Sequence, residues 1–177
     1  MTLSPEITMQ ELLAAYPGAQ RALFRNYHIG GCASCGFGPD EKLSDLCARN
    51  EGIAPEEVLE KIREGHEQDE KVFISPADAA AAREASGARF LDIRTREEYD
   101  AVKIEGAELF SQDLIQQIMS GWPKDTMLII YDHAGTRSLD AAAYFSGHGF
   151  ENVRALKGGI DAWSTEVDTQ LPRYSLE

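Results

Sequence analysis

The sequence predicts a small all-α domain over residues 1–66, a polar linker over 67–71, and an α/β domain over 72–172 built on a mostly parallel sheet. Three observations predict it. Between Glu6 and Glu64 no run of alternating β-branched residues is long enough to count as a strand. Beyond Lys71, five short apolar runs alternate with helical patterns, as in parallel sheets that carry helices on both faces. The segment Gly65-His66-Glu67-Gln68-Asp69-Glu70-Lys71 separates the two regimes and is polar and charged, with no apolar anchor.

The first helix is expected to begin at Met9, because Thr8-x-x-Glu11 is a capping box and Ile7 and Leu12 stand at the staple positions. Leu12, Leu13 and Tyr16 continue its apolar face until Pro17-Gly18 ends it. Ala22, Leu23 and Tyr27 mark a second helix that stops at Gly30-Gly31. Cys32-Ala33-Ser34-Cys35-Gly36-Phe37-Gly38-Pro39 is too rich in glycine for regular structure and reads as a loop with two thiols. Leu43, Leu46 and Cys47 share one helical face, and Pro55-Glu56-Glu57 opens a fourth helix with proline and acids in its first turn. In the second half the strands are expected at Val72–Ile74, Arg89–Ile93, Ala107–Phe110, Met127–Tyr131 and Val153–Leu156. The intervening helices are expected at Pro76–Glu84, Glu97–Val102, Asp113–Met119, Ser138–Gly147 and Ile160–Trp163.

Composition narrows the function. With 43% hydrophobic and 27% charged residues in 177, the chain has an ordinary globular composition. Its net charge is −13, and both halves share the deficit: residues 1–70 carry 6 basic and 13 acidic side chains, residues 71–177 carry 11 and 17. Such a field repels phosphate backbones and anionic lipid, so neither nucleic acid nor a membrane is an expected partner. No stretch reaches the about 18 apolar residues of a membrane span, and the start Met1-Thr2-Leu3-Ser4-Pro5-Glu6 does not read as a leader. Three cysteines are too few and too odd a number for a disulfide framework, which points to reduced thiols and a cytoplasmic protein.

In open parallel sheets ligands sit beyond the carboxyl ends of the strands, at helix N-termini. The loop Asp132-His133-Ala134-Gly135-Thr136-Arg137 fits that place, between an apolar strand and the Ser138 helix, with Gly135 allowing a tight curl that turns successive amides inward. Four segments then appear in order: Leu91-Asp92-Ile93-Arg94 with Glu97-Glu98-Tyr99; Ile104-Glu105-Gly106-Ala107; Tyr131 to Ser138; and Leu156-Lys157-Gly158-Gly159-Ile160-Asp161-Ala162-Trp163. Together they resemble the signatures of the rhodanese homology domain.

The resemblance implies a five-stranded parallel sheet flanked by helices, with the active loop after the fourth strand. In active relatives that loop reads Cys-x-x-Gly-x-Arg, and its cysteine takes a sulfane sulfur from a donor and passes it to a thiophilic acceptor. Here Asp132 stands at the cysteine position, while Gly135, Arg137 and the six-residue length that goes with sulfur chemistry agree. A carboxylate cannot form a persulfide. Asp132 is therefore expected to plug its own ring of amides, near Arg137, as a fixed internal anion. Lys103 replaces the usual histidine and Val102 the glycine before it, a second departure. Asp92 and Arg94 read as a fold-stabilising pair, Trp163 as core, and His133 as an ordinary loop histidine. An aspartyl nucleophile for phosphoryl transfer would need magnesium and a second acidic ligand, which the loop does not supply.

Sulfur chemistry is then left to Cys32 and Cys35, a Cys-x-x-Cys pair that suits a reversible disulfide, a persulfide or two metal bonds. With His28 and Cys47 it could form a four-ligand set for zinc or an iron–sulfur cluster, although Cys47 reads more simply as a small buried hydrophobe. Residues 7–62 are also similar to a small helical domain of bacteria found beside hybrid-cluster and iron-centre-repair proteins, which implies cysteine-based redox, sulfur or iron chemistry. The expectations are thus a sulfurtransferase-family protein with an inactive loop that serves as a docking module; a persulfide carrier using Cys32 or Cys35; or a metal or redox sensor. The partners expected are a sulfur donor or acceptor protein, or a redox partner.

Overall fold

The structure, a computed structural model, describes residues 3–30 and 36–174. Cys32 and Cys35 lie outside the described residues. The chain divides into two compact units, Met1–Lys71 and Val72–Glu177.

The first unit contains α1 (Met9–Ala15), α2 (Ala19–Tyr27), α3 (Leu43–Arg49) and α4 (Pro55–Val72). Each contributes apolar residues to one core, where Met9, Leu12, Leu23, Leu43, Leu46, Val58 and Ile62 are almost wholly removed from water. The Thr8 hydroxyl accepts from the Glu11 amide at 3.3 Å and the Glu11 carboxylate from the Thr8 amide at 3.1 Å. Removing a cap of this kind costs about 1 kcal/mol. Thr8→Ala is therefore expected to speed exchange of the α1 amides about fivefold, read by hydrogen–deuterium exchange. Residues 67–71, read above as a linker, are helical and continue α4, and Asp69 there pairs with Arg21 of α2 at 2.6 Å.

The second unit alternates β1 (Phe73–Ile74), α5 (Pro76–Ser86), β2 (Arg89–Asp92), α6 (Arg96–Ala101), β3 (Glu108–Leu109), α7 (Gln112–Gly121), β4 (Leu128–Tyr131), α8 (Ser138–Gly147), β5 (Val153–Leu156) and α9 (Gly159–Glu166). The five strands form one sheet in the order β1-β5-β4-β2-β3, and every pairing is parallel. Alternation along the strands feeds two layers. Ile129 and Tyr131 pack with Phe90, Leu156, Ile160 and Trp163 on one face; Leu128 and Ile130 pack with Leu91, Ile118, Leu139 and Phe145 on the other. Both faces being covered explains why β4 reads as an unbroken apolar run. Its register sets Asp92 beside Tyr131, so the carboxyl ends of β2 and β4 lie next to each other below the 132–137 loop. No described helix is long and apolar enough to cross a membrane.

Candidate functional site

The loop leaves the carboxyl end of the central strand β4 and enters α8 at Ser138. Its curl depends on Gly135, whose φ of 81° is in the left-handed region. A Cβ there would stand 2.7 Å from the Gly158 nitrogen and 2.9 Å from the Leu156 oxygen, so the loop lies directly on the backbone that follows β5. That backbone answers with Gly159, φ 59°, where a Cβ would stand 2.5 Å from the His133 carbonyl oxygen and closer still to that of Asp132. The approach is used: the Ile160 amide donates to the Asp132 carbonyl at 3.0 Å and the Asp161 amide to the His133 carbonyl at 3.2 Å. Two glycine-bearing segments far apart in sequence thus hold each other, main chain against main chain.

Inside the curl Asp132 is buried, at 4% exposure. Its Oδ2 accepts from the Arg137 amide at 3.0 Å, the Thr136 amide at 3.2 Å and the Thr136 hydroxyl at 3.4 Å. The carboxylate therefore occupies the last two amides of the curl, just ahead of α8, where the helix dipole favours negative charge. Oδ1 is buried without a hydrogen-bond partner among the described residues, as are His133 Nδ1 and Ser138 Oγ nearby in sequence. Arg137 serves Asp132 through its backbone amide, while its side chain is exposed and no ion pair between it and Asp132 is present among the described residues. Ala134 and Thr136 are also exposed, and His133 is half-buried.

Beneath the loop lies a buried charged pair. Arg94 donates through Nε to Asp92 Oδ1 at 2.9 Å and through Nη2 to Oδ2 at 2.6 Å, with side chains 1% and 0% exposed. Burial works against the guanidinium charge, but Asp92 and the Tyr174 hydroxyl outweigh it and hold the Arg94 pKa above its ordinary value. Burial, and then Asp92, push the Tyr131 hydroxyl far up, so it stays protonated while accepting from the Ile104 amide at 3.3 Å. Lys103 is exposed, its ammonium 4.5 Å from the centre of the Tyr99 ring.

Sequence reading missed the residues beside the loop. The Tyr174 ring lies 4.6 Å from that of His133, and its hydroxyl accepts from Arg94 Nη1 at 2.6 Å and donates to Glu98 at 2.8 Å. Arg173 pairs with Asp161. A partial signal existed for Glu98, since Thr95-x-x-Glu98 is a second capping box. Nothing local marks Tyr174, whose partners are 76 and 80 residues away.

Of the proposed metal set, Cys32 and Cys35 fall outside the described residues. His28 ends α2 in the left-handed conformation, exposed and 6.2 Å from the Phe24 ring. Cys47 is buried in the helical core, and desolvation, helped by Glu56, pushes its thiol up, away from the thiolate a metal requires. Among the described residues no group of three or more His, Cys, Asp or Glu side chains is placed to hold a metal.

Residues 75–166 match the family model described as "Rhodanese-like domain". The thiosulfate sulfurtransferase GlpE of Pseudomonas entomophila is 36% identical over 104 residues, covering 59% of this chain and 94% of that protein. The adenylyltransferase and sulfurtransferase UBA4 of Candida albicans is 27% identical over 174 residues, covering 91% of this chain. The chain spans only 38% of the length of that relative. Among solved structures, the rhodanese-like domain from an Anabaena protein aligns with a TM-score of 0.48 and 22% identity, covering 60% of this chain and 88% of that one.

Proposed function

Since the chain belongs to the rhodanese-like domain family, we propose that it is a sulfurtransferase-family protein whose own loop does not transfer sulfur and whose α/β unit binds a partner. The reading makes the α/β unit a docking module on a chain whose helical unit bears the reactive thiols. One observation carries it: the Asp132 carboxylate accepts from the amides of Thr136 and Arg137, in the curl where a transferring relative would bear its sulfur. A persulfide forms when a thiolate attacks the outer sulfur of a donor such as thiosulfate and sulfite leaves. A carboxylate has no polarizable sulfur to do this, and here it fills the cradle itself. The names of the relatives, a thiosulfate sulfurtransferase and an adenylyltransferase and sulfurtransferase, support a sulfur donor or acceptor protein as the partner class.

A second reading places persulfide on Cys32 or Cys35. It is favoured by the burial and raised pKa of Cys47, which leave those two as the thiols fit for chemistry.

Thiosulfate-to-cyanide transfer separates the readings. The docking reading expects no transfer from the unmodified protein, and the carrier reading expects transfer that Cys32→Ala or Cys35→Ala abolishes. Asp132→Cys is expected to gain transfer above background in a Cys32→Ala/Cys35→Ala chain, with one added sulfur on residue 132 by mass spectrometry after thiosulfate. Transfer by the unmodified chain that survives both cysteine replacements and disappears in Asp132→Asn would overturn the assignment of an inactive loop.

A further inference from the structure

The segment after α9 returns across the loop surface and is held there by side chains. Leu171 packs against the core, and the last described backbone hydrogen bond of the segment is from the Leu171 amide to the Asp168 carbonyl. Among the described residues, 172–174 make no backbone-to-backbone hydrogen bond. Arg173 instead forks onto Asp161, Nε to Oδ1 at 2.8 Å and Nη2 to Oδ2 at 3.0 Å, the two-bond geometry that selects a guanidinium. Tyr174 places its hydroxyl between one fixed donor, Arg94 Nη1, and one fixed acceptor, Glu98, and sets its ring against His133 at a tilt of 49°. That slot asks for a group that both accepts and donates, and the imidazole plate beside it asks for an aromatic ring.

These three features are pre-set by parts of the fold that do not depend on the segment. Asp161 lies in the first turn of α9, whose amide bonds to the His133 carbonyl. Glu98 is fixed by the Thr95 capping box, and Arg94 by Asp92 and the Val102 carbonyl. Of the segment's contacts, the Arg173 pair is the exposed one. The Arg173 and Asp161 side chains are 57% and 35% exposed, a setting in which water screens an ion pair.

We propose that Asp161, His133, Glu98 and Arg94 form a recognition groove for an extended protein segment bearing adjacent arginine and tyrosine side chains, occupied here in cis by Arg173 and Tyr174. The inference rests on the docking reading and supplies its partner chemistry. A net charge of −13 favours a basic partner segment, and the contact with His133 puts the occupant directly on the 132–137 loop.

The test is fluorescence anisotropy of a labelled peptide with the sequence of residues 168–174, titrated with the full chain and with its Arg173→Ala/Tyr174→Ala variant. A tethered segment competes at an effective concentration on the order of millimolar, so with a peptide that binds the vacated groove at about 0.1 mM or tighter, the variant is expected to bind at least about tenfold more tightly than the unmodified chain. A control peptide with alanine in place of the arginine and tyrosine is expected not to bind. Arg173→Ala/Tyr174→Phe keeps the ring packed if the first variant unfolds, and is expected to bind more tightly than the unmodified chain as well. A natively folded variant that binds neither peptide, or both equally, overturns the groove. That result leaves the docking reading standing if the loop transfers no sulfur, whereas loop-dependent transfer sinks the docking reading whatever the peptide does.

Discussion

Arg94→Leu is expected to destabilise the α/β unit by about 3–5 kcal/mol, the range for removing one partner of a buried ion pair. The size follows from what is stranded. Asp92 is fully buried and takes two side-chain donors from Arg94 in addition to the Arg94 amide at 3.0 Å. Without the guanidinium its charge faces the Tyr131 hydroxyl and apolar neighbours, where water cannot compensate it. The Val102 carbonyl loses its 2.6 Å donor as well. Both tryptophans, Trp122 and Trp163, belong to this unit, so urea unfolding followed by tryptophan fluorescence reads it without the helical unit. The double variant Asp92→Asn/Arg94→Leu removes the stranded charge and is expected to recover part of the loss. Equal midpoints for Arg94→Leu and the unmodified chain would show that the pair contributes nothing.

Gly159→Ala is expected to cost about 3 kcal/mol, from two sources that add. The residue has φ 59°, which an L side chain adopts at a penalty of about 1–2 kcal/mol. Its Cβ would also press on the Asp132 and His133 carbonyls, and overpacking of this kind costs about 1–3 kcal/mol. Neither carbonyl can retreat without breaking its bond to the start of α9. Gly106→Ala is the control: φ is 78°, but a Cβ there meets nothing within 4 Å, so only the backbone penalty of about 1–2 kcal/mol is expected. The two variants should also differ in exchange of the Thr136 and Arg137 amides, accelerated in Gly159→Ala and unchanged in Gly106→Ala.

Much of this architecture is legible from local chemistry. The Thr8-x-x-Glu11 box sets the start of α1 at Met9, and the apolar run before Asp132 gives β4 within one residue. The edge strands are shorter than their apolar runs suggest. β3 is reduced to Glu108–Leu109 because it has β2 on one side only, and β1 to Phe73–Ile74 beside β5. The 67–71 segment shows how a polar stretch misleads. It lacks an apolar anchor, yet Glu, Gln and Lys are good helix formers, no Pro or Gly interrupts them, and Asp69 finds Arg21. In the loop, Asp132 and its amides follow from the spacing of six residues, but whether Arg137 serves through its amide or its guanidinium depends on side-chain direction, which spacing does not encode. The groove beside the loop was invisible for a different reason. It joins Arg94, Glu98, His133 and Asp161 around Tyr174 through tertiary contacts, and no window of sequence holds them together.

The interlock of Gly135 with Gly158 and Gly159 has a consequence for how such a loop can be altered. Since the surfaces in contact are both main chain, a methyl group added on one side cannot be relieved by trimming a side chain on the other. This interlock therefore does not depend on the side chain that the curl encloses. Asp132 is held through its carbonyl by the Ile160 amide, a bond that any residue at that position could make. The anchorage of position 132 is thus split in two: its main chain is fastened to α9 whatever side chain it bears, and its carboxylate is fastened to the amides ahead of α8, so an exchange there is expected to alter the second fastening and leave the first in place.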